Sequence, residues 1–191
     1  LGNASVGSPS AFLPMIVSRL GDDNKRLQFL LLSALREFIQ CNAKTGTDMT
    51  SQMSTLVPPL EEHCCDKEEG VRTLVAECLG SLAVAHPDAV LPRLAELQKS
   101  HCIITVDNGT INEGDDASMK NAYICSTIAT SVKHAIAGQV DQSKLGPFMP
   151  TFAELIQQED LRVRNAALLM LYSAFHHMPN VVSQMATKES T

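Results

Sequence analysis

Tryptophan is absent from these 191 residues, and aromatic side chains make up only 4% of them. The core must therefore be built from Leu, Ala, Val, Met and Ile. Such a core suits closely packed helices better than a β-sandwich, whose strands favour aromatic and β-branched residues. Positive charge is scarce as well: 15 Lys and Arg against 21 Asp and Glu leave a net charge of −6. Phosphate recognition needs clustered Lys and Arg, so this balance argues against a nucleic-acid footprint. Long apolar runs are missing too. The longest, residues 166–172, falls far short of the roughly 20 residues a membrane-spanning helix needs. No signal peptide is visible. No phosphate-cradling glycine loop occurs, and no Ser–His–Asp or Cys–His arrangement can be argued from residue order, so neither a catalytic residue nor a cofactor is expected. What remains, 45% hydrophobic and 19% charged, is the composition of an ordinary globular chain. It starts at Leu1 without Met and ends soon after a new segment, 180–186, has begun, so it is expected to be a piece of a longer protein.

Against these absences stands a spacing. A proline recurs near the start of four apolar segments, at Pro14, Pro58, Pro92 and Pro150. After three of them, position +14 opens a second and longer apolar segment: Gln28, Arg72 and Arg164. After Pro92 the equivalent residue is Lys120, at +28, because a polar, acidic stretch intervenes. The equivalent positions Gln28, Arg72, Lys120 and Arg164 thus lie 44, 48 and 44 residues apart. Two helical patterns per unit, at a period in the forties, match the armadillo and HEAT class of repeat.

The periodicity within segments is helical. Val71, Val75, Cys78, Leu79 and Leu82 follow one helix face, and Val163, Ala167, Met170, Leu171 and Ala174 repeat the pattern. First helices are predicted near 10–20, 51–65, 88–102 and 145–158, and second helices near 25–41, 68–86, 117–138 and 160–178. Pro14, Pro58 and Pro150 fall inside the predicted first helices, where they should kink them. The signals at Gly21, Gly46 and Gly138 mark turns. The predicted architecture is an all-α solenoid of about four antiparallel helix pairs, spanning about 10–44, 51–87, 88–140 and 144–179. An inserted loop is expected at 103–116, and a further repeat from 180. Units of this kind cannot bury their apolar faces alone and must stack.

Each second helix has an acid and a base four apart at its start: Glu68–Arg72, Asp116–Lys120 and Asp160–Arg164, with Asn24–Gln28 as an uncharged counterpart. Acid before base at this spacing supports a helix by roughly 0.2–0.5 kcal/mol, and an acid at a helix N-terminus complements the macrodipole. These six charged residues are expected to form a structural ladder rather than a stripe for a partner. Positions left outward by the apolar face are better candidates for recognition. They run in three rows: Phe29, Thr73, Asn121, Asn165; Ser33, Glu77, Cys125, Leu169; and Arg36, Gly80, Ile128, Tyr172. Solenoids bind along an extended surface lined by one helix per repeat. Phe29, Arg36, Glu77, Asn121, Asn165, Leu169 and Tyr172 are therefore the expected partner-binding residues.

The six cysteines, Cys41, Cys64, Cys65, Cys78, Cys102 and Cys125, follow no disulfide or zinc spacing. They are expected to be reduced and to behave as small buried hydrophobes. His63-Cys64-Cys65 and His101-Cys102 carry metal-ligand residue types, but neighbours on a helix point apart and the spacing is wrong for zinc, so no metal is expected. His176-His177 suits the C-terminal end of a helix. The sequons at Asn3 and Asn108 read as chance matches.

At residues 70–97, GVRTLVAECLGSLAVAHPDAVLPRLAEL, the chain closely resembles the cullin-associated and neddylation-dissociated (Cand) family of HEAT-repeat exchange factors. Similarity continues through 27–39 and 150–182. The resemblance implies a segment from the C-terminal half of a long solenoid that wraps around a cullin–RING scaffold lacking the modifier Nedd8. It also implies competition with substrate-receptor modules, hence receptor exchange, and no catalysis by the protein itself. The implied partner is the cullin–RING scaffold, in cytoplasm or nucleus, with no nucleic acid, membrane or small-molecule substrate. A transport receptor or phosphatase scaffold is the alternative for a solenoid of this kind. Residues 103–116 are where the chain departs from the family pattern.

Overall fold

The computed structural model describes residues 9–102 and 116–179, and among them every regular element is helical. Eight α-helices follow in order: α1 Pro9–Leu20, α2 Lys25–Thr45, α3 Met53–Glu62, α4 Glu69–Ala85, α5 Pro87–His101, α6 Asp116–Ala137, α7 Met149–Leu155 and α8 Leu161–His177. Single 3-10 turns at Thr50–Gln52, His63–Cys65 and Gln142–Lys144 lie between them. The helices form four pairs stacked as a solenoid. Second helices pack on second helices, α2 on α4, α4 on α6 and α6 on α8, while α1 meets α3 and α3 meets α5.

Local chemistry sets the boundaries. Asn24 caps α2 by accepting the Leu27 amide at 3.1 Å, and Gly46 ends it in the left-handed region, φ 67°, donating its amide back to the last turn. Only a residue without Cβ takes that conformation at no steric cost. Pro87 starts α5 at a position whose N–H is unused. Pro14, Pro58 and Pro92 lie inside their helices. The fourth first helix differs from expectation. The sequence predicts it at 145–158, but a 3-10 turn at Gln142–Lys144 is followed by a bend and turns through 145–148, and only the seven-residue α7 is α-helical there. Pro150 is the second residue of α7 rather than an interior one, so it deprives the helix of no bond. The expected insertion lies outside the described residues except for Asp116, which opens α6. The repeat expected from 180 also lies outside them.

The apolar stripes become the core. Val71, Val75, Cys78, Leu79 and Leu82 are buried on α4, and Val163, Ala167, Met170 and Ala174 are buried on α8. α4 and α6 approach each other closely at Gly80. A Cβ added to Gly80 would sit 2.5 Å from the His134 Cβ and 2.8 Å from the Ser131 carbonyl oxygen. Glycine there allows two backbones to approach more closely than any side chain permits.

Candidate partner-binding surface

The four second helices present one continuous face. Its first row is fully outward: Phe29, Thr73, Asn121 and Asn165 are all exposed. Phe29 lies over the next repeat, with its ring edge 3.4 Å from where a Gly70 Cβ would be. Asn121 shares a 3.1 Å hydrogen bond with His101 Nδ1. The other two rows turn inward at the middle of the stack. Ser33, Glu77 and Arg36 are half-buried, Gly80, Cys125 and Ile128 are buried, and only Leu169 (56% exposed) and Tyr172 (72% exposed) face out. The cause is packing. A central helix such as α6 is flanked by α4 and α8 and backed by α5, which leaves it a narrow outward stripe of Tyr123, Ser126, Thr130 and Lys133, all half-exposed. On α8 the outward stripe is broad and also carries Leu161, Leu168 and Phe175.

Arg36 and Glu77 do meet. The guanidinium donates to Glu77 Oε2 at 2.9 Å across the α2–α4 seam and also reaches Glu37 at 3.2 Å. The Glu77 hydrogen bond raises the arginine pKa further. A shallow groove of about 290 Å³ crosses α4, α6 and α8, lined by Glu69, Arg72, Thr73, Thr130, Arg162 and Asn165 among others.

The expected ladder is built differently from its sequence pattern. Arg72 is buried, yet it does not reach the Glu68 carboxylate. Its Nη1 donates to the backbone carbonyls of Asp66 (2.7 Å) and Lys67 (3.0 Å). Gln28, at the equivalent position, donates its side-chain amide to the Leu20 carbonyl at 2.8 Å. The shared task of these two residues is to satisfy carbonyls left over where the first helix ends, a cost that burial would otherwise impose. Glu68 supplies no side-chain cap; Asp66 instead accepts the Glu68 amide at 2.9 Å. Asp160 accepts the Arg162 and Val163 amides at 2.8 and 3.2 Å and pairs with the Arg162 guanidinium rather than Arg164. Among the described residues Asp116–Lys120 forms no ion pair, and neither does Arg164. At Asp160 the first-turn amides and the nearer Arg162 take the carboxylate that the spacing assigns to Arg164.

Asp66 and Asp160 are among the acids held below the ordinary carboxylate range. For both Asp66 and Asp160 burial pushes upward, but hydrogen bonds outweigh it, from Lys25 and the Glu68 amide in the first case and from Arg162 and two amides in the second. Sequence reasoning missed two further features. Tyr123 lies between two guanidiniums from neighbouring repeats, Arg72 at 4.1 Å and Arg162 at 5.1 Å from its ring. Cys102 and Cys125, expected as thiols, form a disulfide. No local spacing announces either, because both depend on how α5, α6 and α8 stack. Among the described residues no three His, Cys, Asp or Glu side chains converge as metal ligands, and no helix is long and apolar enough to cross a membrane.

Comparisons with known proteins agree with this architecture. The HEAT repeat family matches residues 56–86, which is α3 and α4 with their connection. Cullin-associated NEDD8-dissociated protein 1 of Dictyostelium discoideum is 32% identical over 187 residues, covering 95% of this chain and 14% of that protein. The Arabidopsis thaliana protein of the same name is 30% identical, again over 95% and 14%. A protein of Emericella nidulans named as the C-terminal part of this protein is 27% identical over 93% of the chain and 15% of its own length. In structure the chain is similar to a TOG domain of Zyg9 from C. elegans, with a TM-score of 0.59, 20% identity, and coverage of 91% of this chain and 59% of that one. That likeness speaks to the fold alone. The chain spans about one seventh of the length of the first two relatives. Its fold is a HEAT-type helical solenoid, and its sequence is similar to the cullin-associated NEDD8-dissociated proteins.

Proposed function

We propose that this chain is one section of a longer, non-catalytic solenoid that binds a cullin–RING ubiquitin-ligase scaffold lacking Nedd8 and promotes exchange of its substrate receptors. The observation that carries the reading is the unbroken outward row Phe29, Thr73, Asn121, Asn165 along four stacked helices. It is joined by exposed Leu169 and Tyr172 at one end and by the Arg36–Glu77 pair at the other. Such a face suits recognition by shape over many repeats. The names of the relatives supply the partner's class. Similarity to the Emericella nidulans protein named as a C-terminal part supports a position in the C-terminal half of the array. Action rests on surface complementarity, and no cofactor, nucleic acid, membrane or small-molecule substrate enters it. Cytoplasm and nucleus are the compartments where it operates.

The test is a pull-down of cullin–RING complex by the full-length protein, with and without Nedd8 on the cullin. Retention of the unmodified complex alone is expected, and equal retention of both forms overturns the reading. In the same assay, Asn121→Glu with Asn165→Glu places two charges on the outward row without touching the core. Weaker retention, by at least tenfold in affinity, is the expected result.

A further inference from the structure

Among the described cysteines Cys41 and Cys65 are half-buried thiols. Cys64 and Cys78 are fully buried, and burial pushes both thiols far above their ordinary pKa. Their sulfurs lie against the Leu60 and Leu32 carbonyls at 3.5 and 3.9 Å. Such thiols are inert, because exchange chemistry needs thiolate and access. Cys102 and Cys125 are instead joined, with Cα atoms 5.8 Å apart at a sequence separation of 23. Cys102 lies where α5 ends, and Cys125 lies inside α6. Their bond crosses from one side of residues 103–115 to the other. Beside it runs the exposed His101–Asn121 hydrogen bond, which is weak by comparison.

We propose that Cys102 and Cys125 are a reversible redox pair whose bond fastens the end of α5 to α6, making the mechanical coupling of the third repeat dependent on the thiol–disulfide balance. In compartments kept reducing by glutathione, disulfides that do form are characteristically redox-sensing rather than permanent. The oxidant is a low-molecular-weight disulfide, with glutathione disulfide as the probe. Both cysteines are buried, Cys102 at 8% and Cys125 at 4% exposure, so a local opening at the end of α5 lets one protein thiolate attack this probe, forming a mixed disulfide and releasing one glutathione thiolate. The second protein thiol loses its proton and attacks the first protein sulfur, closing the Cys102–Cys125 bond and releasing the second glutathione. Two protein thiols thereby lose two electrons and two protons, and one glutathione disulfide becomes two thiols. The reverse sequence opens the bond. The proposal does not depend on the partner reading above.

The experiment equilibrates the protein with mixtures of reduced and oxidised glutathione, quenches in denaturant with N-ethylmaleimide, and reads adducts by intact mass and peptide mapping. Oxidised samples are expected to carry four adducts, with a linked peptide pair containing Cys102 and Cys125. Six adducts are expected as the reduced form is brought into excess. Thermal melting should fall by about 5 °C or more on opening, and amide exchange should rise at the end of α5. Six adducts in every mixture overturn the proposal, as do four that excess reduced glutathione leaves unchanged. Cys102→Ser with Cys125→Ser should melt near the reduced parent and ignore the glutathione ratio. A melting point that still follows the ratio in this variant assigns the response elsewhere and also overturns it.

Discussion

The second helices and the first helices of this solenoid solve the same packing problem differently. The second helices form a continuous layer, α2 through α8, drawn close at Gly80 and tied by Arg72, Tyr123 and Arg162 across two seams. The first helices form a looser one. Among the described residues α7 packs on α8 rather than on α5. Between α5 and the turn before α7 lies an open cavity of about 580 Å³ lined by Pro87, Leu91, Pro92, Ala95, Lys144 and Pro147 among others. An ion pair from Lys144 to Asp88 bridges its side. The layer that carries the proposed binding face is the closely packed one, while open space in the array collects on the opposite side. In a repeat protein, where stability is a sum of nearest-neighbour terms, the two layers should therefore respond differently to the same substitution.

The sharpest contrast comes from truncating one leucine in each layer. Leu79 is fully enclosed in the second layer, and Leu79→Ala should cost about 4 kcal/mol by chemical denaturation. Leu91 borders the cavity, so less packing is lost there, and Leu91→Ala should cost about 2 kcal/mol. Equal costs would erase the distinction between layers. Gly80→Ala comes next. Its new Cβ meets backbone and a Cβ rather than a flexible side-chain end, so a loss of about 2 kcal/mol is expected, and wild-type stability in this variant would contradict the close approach.

Acid titration probes the turns that start the second helices. Because Asp66 and Asp160 have lowered folded pKa values, their contribution is full above about pH 4, the unfolded value, and is lost as pH falls through the folded one. Asp160→Asn keeps a cap acceptor but removes the charge, so its stability should decline less steeply below pH 4 than the parent's. Asp160→Ala also loses the cap, at about 1 kcal/mol at pH 7. The smallest effect belongs to Arg36–Glu77, half-exposed on the proposed binding face. A double-mutant cycle should return a coupling of about 0.5 kcal/mol in stability, so a larger loss of scaffold retention in either single variant would mark these residues as contacts rather than supports.

Helix identity was legible because burial obeys periodicity: the five apolar positions read on α4 are all buried. Asn24 was legible as an opening residue because its side chain bonds within three residues of itself. The ladder was half legible. Spacing marked Arg72 as structural, but a carbonyl has no signature in a sequence, so its true acceptors at Asp66 and Lys67 were invisible. The second and third outward rows failed at Cys125, Gly80 and Ile128 because a helical wheel records one neighbour, whereas α6 has three. The Cys102–Cys125 bond was hidden for the same reason, being a product of stacking.

The place of Tyr123 between two guanidiniums has an optical consequence. The chain has no tryptophan and only two tyrosines, so its ultraviolet emission comes from two positions of opposite character. Tyr123 is wedged between adjacent repeats, and its signal follows the spacing of the stack. Tyr172 stands out in solvent at 72% exposure, and its signal follows whatever covers the far end of the proposed binding face. Tyr172→Phe silences one channel and Tyr123→Phe the other, giving the unlabelled protein separate internal gauges of array integrity and of occupancy.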